Sequence, residues 1–189
     1  MASGVRGKMV ASAAELLARR GLEGTSFTEV LDHSGAPRGS VYHHFPDGKG
    51  QLIIEAVDLA GSNALDWLDK KRGGAPDEIV EWFVHIWREL LRRSRFEVGC
   101  AVLAVTVATD SPEVLNHAAD VFRSWRQRLA ELLEIGGLDH EDAARFSTML
   151  IASTEGAVVL SRAEQSLEPL DIVESQLLED IRRLMRRTM

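Results

Sequence analysis

The side chains best suited to chemistry lie close together at residues 38–49, which supply an arginine, hydroxyl groups, imidazoles and a lysine. Arginine can pair with guanine edges or phosphates, and hydroxyls and imidazoles can donate hydrogen bonds to phosphate oxygens. An ordinary exposed helix hairpin would carry the same residue types, so both interpretations stand at this point. The candidate nucleic-acid contacts in and before this segment are Ser26, Thr28, Arg38, Ser40, Tyr42, His43 and Lys49.

The remaining reactive side chains form no recognisable catalytic or metal-binding pattern. His43 and His44 are adjacent, so on a helix they point about 100° apart and cannot share one metal ion. The single cysteine, Cys100, excludes an internal disulfide and a cysteine cluster. The sequence contains no phosphate-binding glycine loop and no nucleophile elbow. We therefore expect no enzymatic activity, no metal and no cofactor.

Two short helices joined by a tight turn are predicted to position the candidate contacts. The first covers residues 27–34, and Ser26 with Glu29 fits a capping box at its start. Gly35 then ends this helix by permitting a turn that is costly for other residues. The second helix is predicted over residues 37–45.

A proline lies at each end of this predicted second helix. Pro37 is tolerated at a helix start, and Pro46 stops the helix. Val41 and Phe45, four residues apart, are predicted to face inward, which leaves the polar side chains on the other faces.

The run Gly35-Ala-Pro-Arg-Gly-Ser-Val-Tyr-His-His-Phe-Pro-Asp-Gly-Lys49 resembles the recognition-helix signature of the tetracycline-repressor (TetR) family. Its Pro-Arg-Gly-Ser and Phe-Pro-Asp-Gly-Lys elements resemble the LmrA/YxaF-like subgroup. The specific match covers about the first quarter of the chain, and weaker similarity continues through Gly99-Cys100 and Glu155-Gly156. The resemblance implies a helix-turn-helix head, a helical body with a small-molecule cavity, and ligand binding that loosens DNA binding.

Composition and charge agree with a folded helical protein. The 189 residues suffice for a sizeable core, and abundant Ala, Leu, Glu and Arg without alternating strands favour an all-α fold. The net charge of −7 disfavours phosphate binding, but it is unevenly distributed. Residues 1–50 carry six basic and five acidic residues, so we expect modest and salt-dependent non-specific DNA affinity.

Hydrophobic periodicity and turn residues place the other helices. Together with the hairpin they make about nine, which is also the number that the resemblance implies. We predict a DNA-binding domain at residues 1–48 and a ligand-binding and dimerisation domain at 49–189. The predicted helices cover residues 4–20, 49–72, 76–95, 112–136, 139–164 and 169–187, with a buried apolar helix within 98–109.

Aromatic and small residues of the body are suited to an apolar ligand cavity. Such cavities are mostly apolar with few polar groups. The alternative, which is the commoner role for any one aromatic residue on an apolar helix face, is ordinary core packing. The candidate ligand contacts are Trp87, Cys100, Leu103, Trp125 and Met149.

The last two helices are the predicted homodimer interface, because family members usually pair them in a four-helix bundle. Small residues would permit close helix approach, and larger apolar residues would supply area. The alternative is that these side chains form the monomer core. The residues concerned are Ala152, Ser153, Gly156, Ala157, Val159, Leu160, Leu177, Leu178 and Ile181.

The sequence thus predicts a cytoplasmic, TetR-like transcriptional regulator, most simply a repressor of a palindromic operator that a small, largely apolar effector releases. No membrane span is expected, since the uncharged stretch 98–109 is too short. Two other classes stay open. One is a helical ligand-binding protein without specific DNA binding, and the other is a helical enzyme whose site is assembled across helices.

Overall fold

The computed structural model describes residues 4–188, which form helices and connecting turns with no strand among them. This confirms the predicted all-α fold. The helices are α1 (Val5–Arg20), α2 (Phe27–Ser34), α3 (Val41–His44), α4 (Lys49–Asp69), α5 (Pro76–Ser94), α6 (Ala101–Ala108), α7 (Pro112–Ile135), α8 (His140–Glu164) and α9 (Glu168–Thr188), with a 3-10 turn at Arg38–Ser40.

The predicted Ser26 cap and Gly35 turn at the two ends of α2 are observed, whereas the Glu29 carboxylate of the predicted capping box pairs with Arg20 rather than with the Ser26 amide. The Ser26 hydroxyl accepts a hydrogen bond from the Glu29 amide at 3.2 Å, which satisfies one of the free amides at the helix start. The Glu29 carboxylate pairs with Arg20 on α1 at 2.8 Å, so it ties α2 to α1. Gly35 has φ of 68°, in the left-handed region that suits glycine.

Asp139 caps the start of α8. Its Oδ1 accepts hydrogen bonds from the amides of Glu141 at 3.0 Å and Asp142 at 3.1 Å. The hydrogen bond from the Asp142 amide is the main reason that the pKa of the Asp139 carboxyl lies below its usual value, because this bond stabilises the charged carboxylate.

The second helix of the hairpin is shorter than predicted. Residues Arg38–Ser40 form a 3-10 turn, and only Val41–His44 is α-helical. Pro37 has an extended ψ of 135°, so it precedes the turn rather than starting a helix. Phe45 has φ of −130° because Pro46 follows it, and the residue before a proline is displaced from helical geometry.

Other predicted bounds need small corrections. Helix α4 ends at Asp69 rather than at residue 72, and turns follow. Helix α6 is buried on one face only: Val102 and Val105 have no exposed surface, whereas Val107 is 76% exposed.

The chain divides into two compact units. The first contains residues up to Asn63 together with Cys100–Phe122, and the second contains Ala64–Gly99 together with residues from Arg123 onward. Helices α4 and α7 each contribute to both units.

In the first unit, α1 packs against α2 and α6. A Cβ atom on Gly61 of α4 would lie 2.8 Å from Cγ1 of Val121 on α7, so these helices approach closely there. Side chains with at most 2% exposure fill this unit: Met9, Leu16, Leu17, Val30, Val41, Phe45, Leu52 and Ile53.

In the second unit, α5, α8 and α9 pack on one another. Their shared core contains Val84, Leu91 and Leu170, with Trp87 and Phe96 partly buried against it.

Candidate nucleic-acid interface and effector site

The recognition segment, defined here as residues 38–45, separates buried from exposed side chains. Val41 is 2% exposed and Phe45 is fully buried, as predicted. Arg38 and His43 are exposed, and Tyr42 is 74% exposed. Two apolar anchors therefore hold a segment that presents a guanidinium, a phenol and an imidazole to solvent.

Three candidate contacts also make structural hydrogen bonds. The Ser26 hydroxyl caps α2, and the Ser40 hydroxyl donates to the Pro37 carbonyl at 2.6 Å. The Lys49 ammonium donates to the Leu22 carbonyl at 3.0 Å. An ammonium has three donors, so Lys49 keeps capacity for a phosphate. Thr28 is exposed on α2.

Tyr42 is positioned by an aromatic neighbour. Its ring lies 6.0 Å from the Phe27 ring, centroid to centroid, at an interplanar angle of 68°. Edge-to-face contacts of this kind are favourable for aromatic pairs. The contact orients the Tyr42 ring, while most of the side chain stays in solvent.

Arg6 was missed as a structural element of this head. In the structure its side chain contacts the Glu55 carboxylate, the His44 carbonyl and the Phe45 ring. The partners lie 38 or more residues away, so no local spacing could have indicated them.

The five candidate ligand contacts fall in different parts of the chain. Cys100 and Leu103 lie in the first unit, and the other three lie in the second. Cys100 is 7% exposed, and its sulfur accepts a hydrogen bond from the Leu103 amide at 3.4 Å, capping α6. Trp125 is 4% exposed and Met149 is 43% exposed. Trp87 is partly buried against the core of the second unit.

Two surface grooves occur within the second unit. One, of about 630 Å³, is lined by Trp82, His85 and charged residues of α5 and α9. The other, of about 580 Å³, lies along α7 and α8. Neither groove is lined by a candidate ligand residue. The assignment of the five candidate residues to an effector site therefore remains a prediction.

Apolar residues on one face of α8 are exposed. Val159 is 50% exposed and Leu160 is 52% exposed. We define the α8 stripe as the exposed residues at helical spacing along this face. Its members are Met149, Ala152, Gly156, Val159, Leu160 and Ala163.

Three residues predicted for the dimer interface belong to the monomer core instead. Ala157 is 1% exposed, Leu177 is 3% exposed and Ile181 is fully buried. They lie on the α8 and α9 faces that pack within the second unit, because an amphipathic helix must first bury its own apolar face.

Another residue that sequence reasoning missed is Arg162. Its guanidinium donates to the carbonyls of Phe96 at 3.3 Å and Glu97 at 3.0 Å, which fixes the segment after α5 to α8. A Cβ on Gly99 would lie 2.8 Å from Nη1 of Arg162. A side chain at position 99 would therefore displace the Arg162 guanidinium.

Within residues 4–188, no helix is long and apolar enough to cross a membrane. The same described residues contain no cluster of three or more His, Cys, Asp or Glu side chains that could hold a metal ion.

Two family descriptions match the chain. "Bacterial regulatory proteins, tetR family" matches residues 10–56, and "Transcriptional regulator LmrA/YxaF-like, C-terminal domain" matches residues 76–176. An uncharacterized HTH-type transcriptional regulator of Mycobacterium tuberculosis is 36% identical over 181 residues, covering 92% of each chain. The HTH-type transcriptional repressor DhaR of Mycobacterium sp. strain GP1 is 23% identical, covering 88% of this chain and 87% of DhaR. The crystal structure of a TetR regulatory protein from Rhodobacter sphaeroides superposes with a TM-score of 0.83 at 20% identity, covering 93% of this chain and 97% of that one.

Proposed function

Because the chain belongs to the TetR family of DNA-binding transcriptional regulators, we propose that it is a dimeric repressor released from a palindromic operator by a small, largely apolar effector. We assign DNA reading to residues 1–48, and effector binding and dimerisation to residues 49–189. The family descriptions matched at 10–56 and 76–176 support this division. A DNA partner also implies a cytoplasmic location in a bacterium.

The arrangement of the recognition segment carries the DNA-reading assignment. Val41 and Phe45 are buried while Arg38, Tyr42 and His43 are exposed on the same short segment. Arginine reads guanine through two hydrogen bonds in the major groove, and phenol and imidazole donate to phosphates. The exposed groups thus divide between base readout and backbone positioning.

Repression rather than activation is supported by a relative. DhaR, which resembles this chain over most of its length, is named a repressor. A repressor needs only to occupy its operator, and an effector then needs only to favour the state that binds DNA less well.

Dimerisation is supported by the α8 stripe. A two-fold dimer places the same patch of each subunit in contact and presents two recognition segments related by symmetry. Half-sites in the operator would then mirror the protein two-fold axis, separated by about one helical turn or a multiple of it.

Selection of binding sites from a random duplex DNA pool tests this function. We expect a palindrome with a defined half-site spacing, and we refer to it as the selected palindrome. Arg38→Ala is then expected to weaken binding to it about 5-fold or more per half-site, because removing each bidentate base contact costs about 1–3 kcal/mol. Fluorescence anisotropy at fixed salt measures the change.

Tyr42→Phe and Glu23→Ala serve as comparisons. Tyr42→Phe keeps the ring and removes only the phenol hydroxyl, so we expect a smaller loss of affinity. Glu23 is exposed in the turn after α1, and its removal should not weaken binding. Unchanged affinity in both Arg38→Ala and Tyr42→Phe would refute the recognition-segment assignment. Ligand-induced stabilisation of a folded protein that selects no DNA motif would instead favour a ligand-binding protein.

We propose that the effector binds within the second unit, where the candidate contacts Trp87 and Trp125 lie. A screen of small aromatic and aliphatic compounds for release of the selected palindrome supplies the probe. For a compound that releases DNA, we expect Trp87→Ala to weaken its binding at least about 10-fold, since an indole contributes much of the contact area in an apolar pocket. Isothermal titration calorimetry without DNA measures this affinity.

Trp67→Ala is the matched control, because Trp67 is a 44% exposed tryptophan outside the proposed site. Normal effector binding by a folded Trp87→Ala variant would remove Trp87 from the site.

A further inference from the structure

The recognition segment is too short to hold its own position. Helix α3 has four residues, and isolated helices of this length do not persist in water. Its last carbonyls also lack partners within the helix. Contacts from other elements must therefore set where this helix lies.

Arg6 on α1 supplies such a contact at the end of α3. Its Nε donates to the His44 carbonyl at 3.4 Å, and its guanidinium carbon lies 5.4 Å from the centroid of the Phe45 ring. A guanidinium over an aromatic face is attracted by the ring electrons. Arg6 therefore holds the end of the recognition segment through both the backbone and the buried anchor.

The same guanidinium is bound to α4. Its Nη2 lies 2.6 Å from Oε1 of Glu55, and the Glu55 side chain is only 24% exposed. Arg6 thus joins α1, the recognition segment and α4 through one planar group. The fork of donors on arginine makes this possible, whereas a lysine ammonium is a single point charge.

We propose that Arg6 is a positioning residue for DNA recognition, and that its bond to Glu55 couples the recognition segment to α4. A displacement of α4 within the first unit is then transmitted to His44 and Phe45 through the Arg6 side chain. The coupling rests on the proposed use of the recognition segment as the DNA reader. Arg6 then acts on DNA binding through the recognition segment rather than through a phosphate contact of its own.

The Glu55→Ala variant distinguishes the positioning role of Arg6 from the general effect of protein charge on DNA binding. Glu55→Ala makes the protein less negative, so charge alone predicts equal or tighter binding to DNA. The coupling predicts the reverse, since Arg6 loses the partner that orients it. We expect Glu55→Ala to bind the selected palindrome about 5- to 10-fold more weakly, while affinity for a random duplex is maintained.

Variants of Arg6 provide the second half of the test. We expect Arg6→Lys to lose nearly as much affinity as Arg6→Ala, since one ammonium nitrogen does not reproduce the separate positions of Nε at His44 and Nη2 at Glu55. The double variant Arg6→Ala with Glu55→Ala should be no weaker than either single variant, as expected for two residues that act as one unit.

Salt dependence and a matched control complete the experiment. Removing a true phosphate contact from each protomer would reduce the log–log salt slope by about 0.9 per contact, whereas removing a positioning residue leaves the slope unchanged. Glu23→Ala removes the same charge from an exposed turn of the first unit and should leave specific affinity unchanged or slightly increased. Circular dichroism confirms that each variant retains its helical content.

Two results would overturn the proposal. The first is that Glu55→Ala binds the selected palindrome as tightly as wild type, which would mean that Glu55 does not orient Arg6. The second is that Arg6→Lys retains wild-type affinity while Arg6→Ala shows a reduced salt slope, which would make Arg6 an ordinary phosphate contact. Arg38→Ala separates this failure from failure of the proposed function. If Arg38→Ala also binds normally, the recognition segment is not the reader, and if only Arg38→Ala is impaired, the coupling alone is wrong.

Discussion

Replacing both Val159 and Leu160 with aspartate is expected to convert the proposed dimer into monomers and to weaken binding to the selected palindrome by about 100-fold or more. Both side chains are half-exposed on the α8 stripe. In a two-fold interface each substitution occurs twice, so four carboxylates would enter an apolar contact. Buried apolar anchors commonly contribute about 2 kcal/mol or more each, and unpaired buried charges add a further cost.

Sedimentation velocity over a range of protein concentrations measures the dimer dissociation constant. The folded monomer should survive, because these side chains are exposed in the single chain and the substitutions create no cavity. Binding of DNA falls because two linked heads gain effective concentration that separate heads lack.

The chain offers a matched control for this double substitution. Val107 and Leu115 are also exposed apolar residues, at 76% and 42%, and they lie in the first unit. Replacing both with aspartate introduces the same residue types and the same charge away from the α8 stripe. We expect this variant to remain dimeric. Equal dissociation of the two variants, or a persistent dimer after substitution of the stripe, would place the interface elsewhere.

Local signals explain why much of the fold could be predicted. Ser26 and Asp139 cap helices through hydrogen bonds that span two or three residues, and Gly35 occupies a left-handed turn. These preferences act over a few residues and are therefore visible in the order of the amino acids.

The shortened recognition helix was also predictable in principle. Pro46 disfavours helical geometry at the preceding residue, Phe45, and Gly39 weakens any helix around it. The prediction of a continuous helix over residues 37–45 gave these local effects too little weight compared with the spacing of Val41 and Phe45.

Long-range pairs could not be predicted in the same way. Arg6 pairs with Glu55, which is 49 residues away in the sequence. Arg162 donates to the carbonyl of Phe96, which is 66 residues away. An exposed arginine in a sequence has many possible acidic and carbonyl partners. Only the folded chain selects among them.

The apolar residues of α8 and α9 show a second limit. Ala157 and Leu177 are buried in the monomer, whereas Val159 and Leu160 are exposed. Periodicity identifies apolar positions, but the same residue type serves a core and an interface equally well. Whether a stripe is already covered depends on helix rotation, which packing within the chain determines.

Phe45→Ala is expected to reduce the free energy of opening of the first unit by about 3–5 kcal/mol, the usual cost of truncating a buried phenylalanine. Phe45 has no exposed surface. Its ring contacts Arg6, so its loss removes the anchor of the recognition segment, whereas the backbone bond from residue 45 to the Val41 carbonyl can still form. Native-state hydrogen exchange of amides in α1 and α2 measures the opening free energy.

Tyr42→Ala, three positions earlier, is the companion variant that separates stability from recognition. Tyr42 is 74% exposed, so its removal should cost under about 1 kcal/mol, chiefly from loss of the edge-to-face packing on Phe27. We expect Tyr42→Ala to keep its exchange protection and lose affinity for the selected palindrome. Phe45→Ala should lose both, because a segment without its anchor presents Arg38 and Tyr42 in no fixed geometry. Unchanged protection in Phe45→Ala would mean that contacts such as those of Arg6 hold the segment without its buried ring.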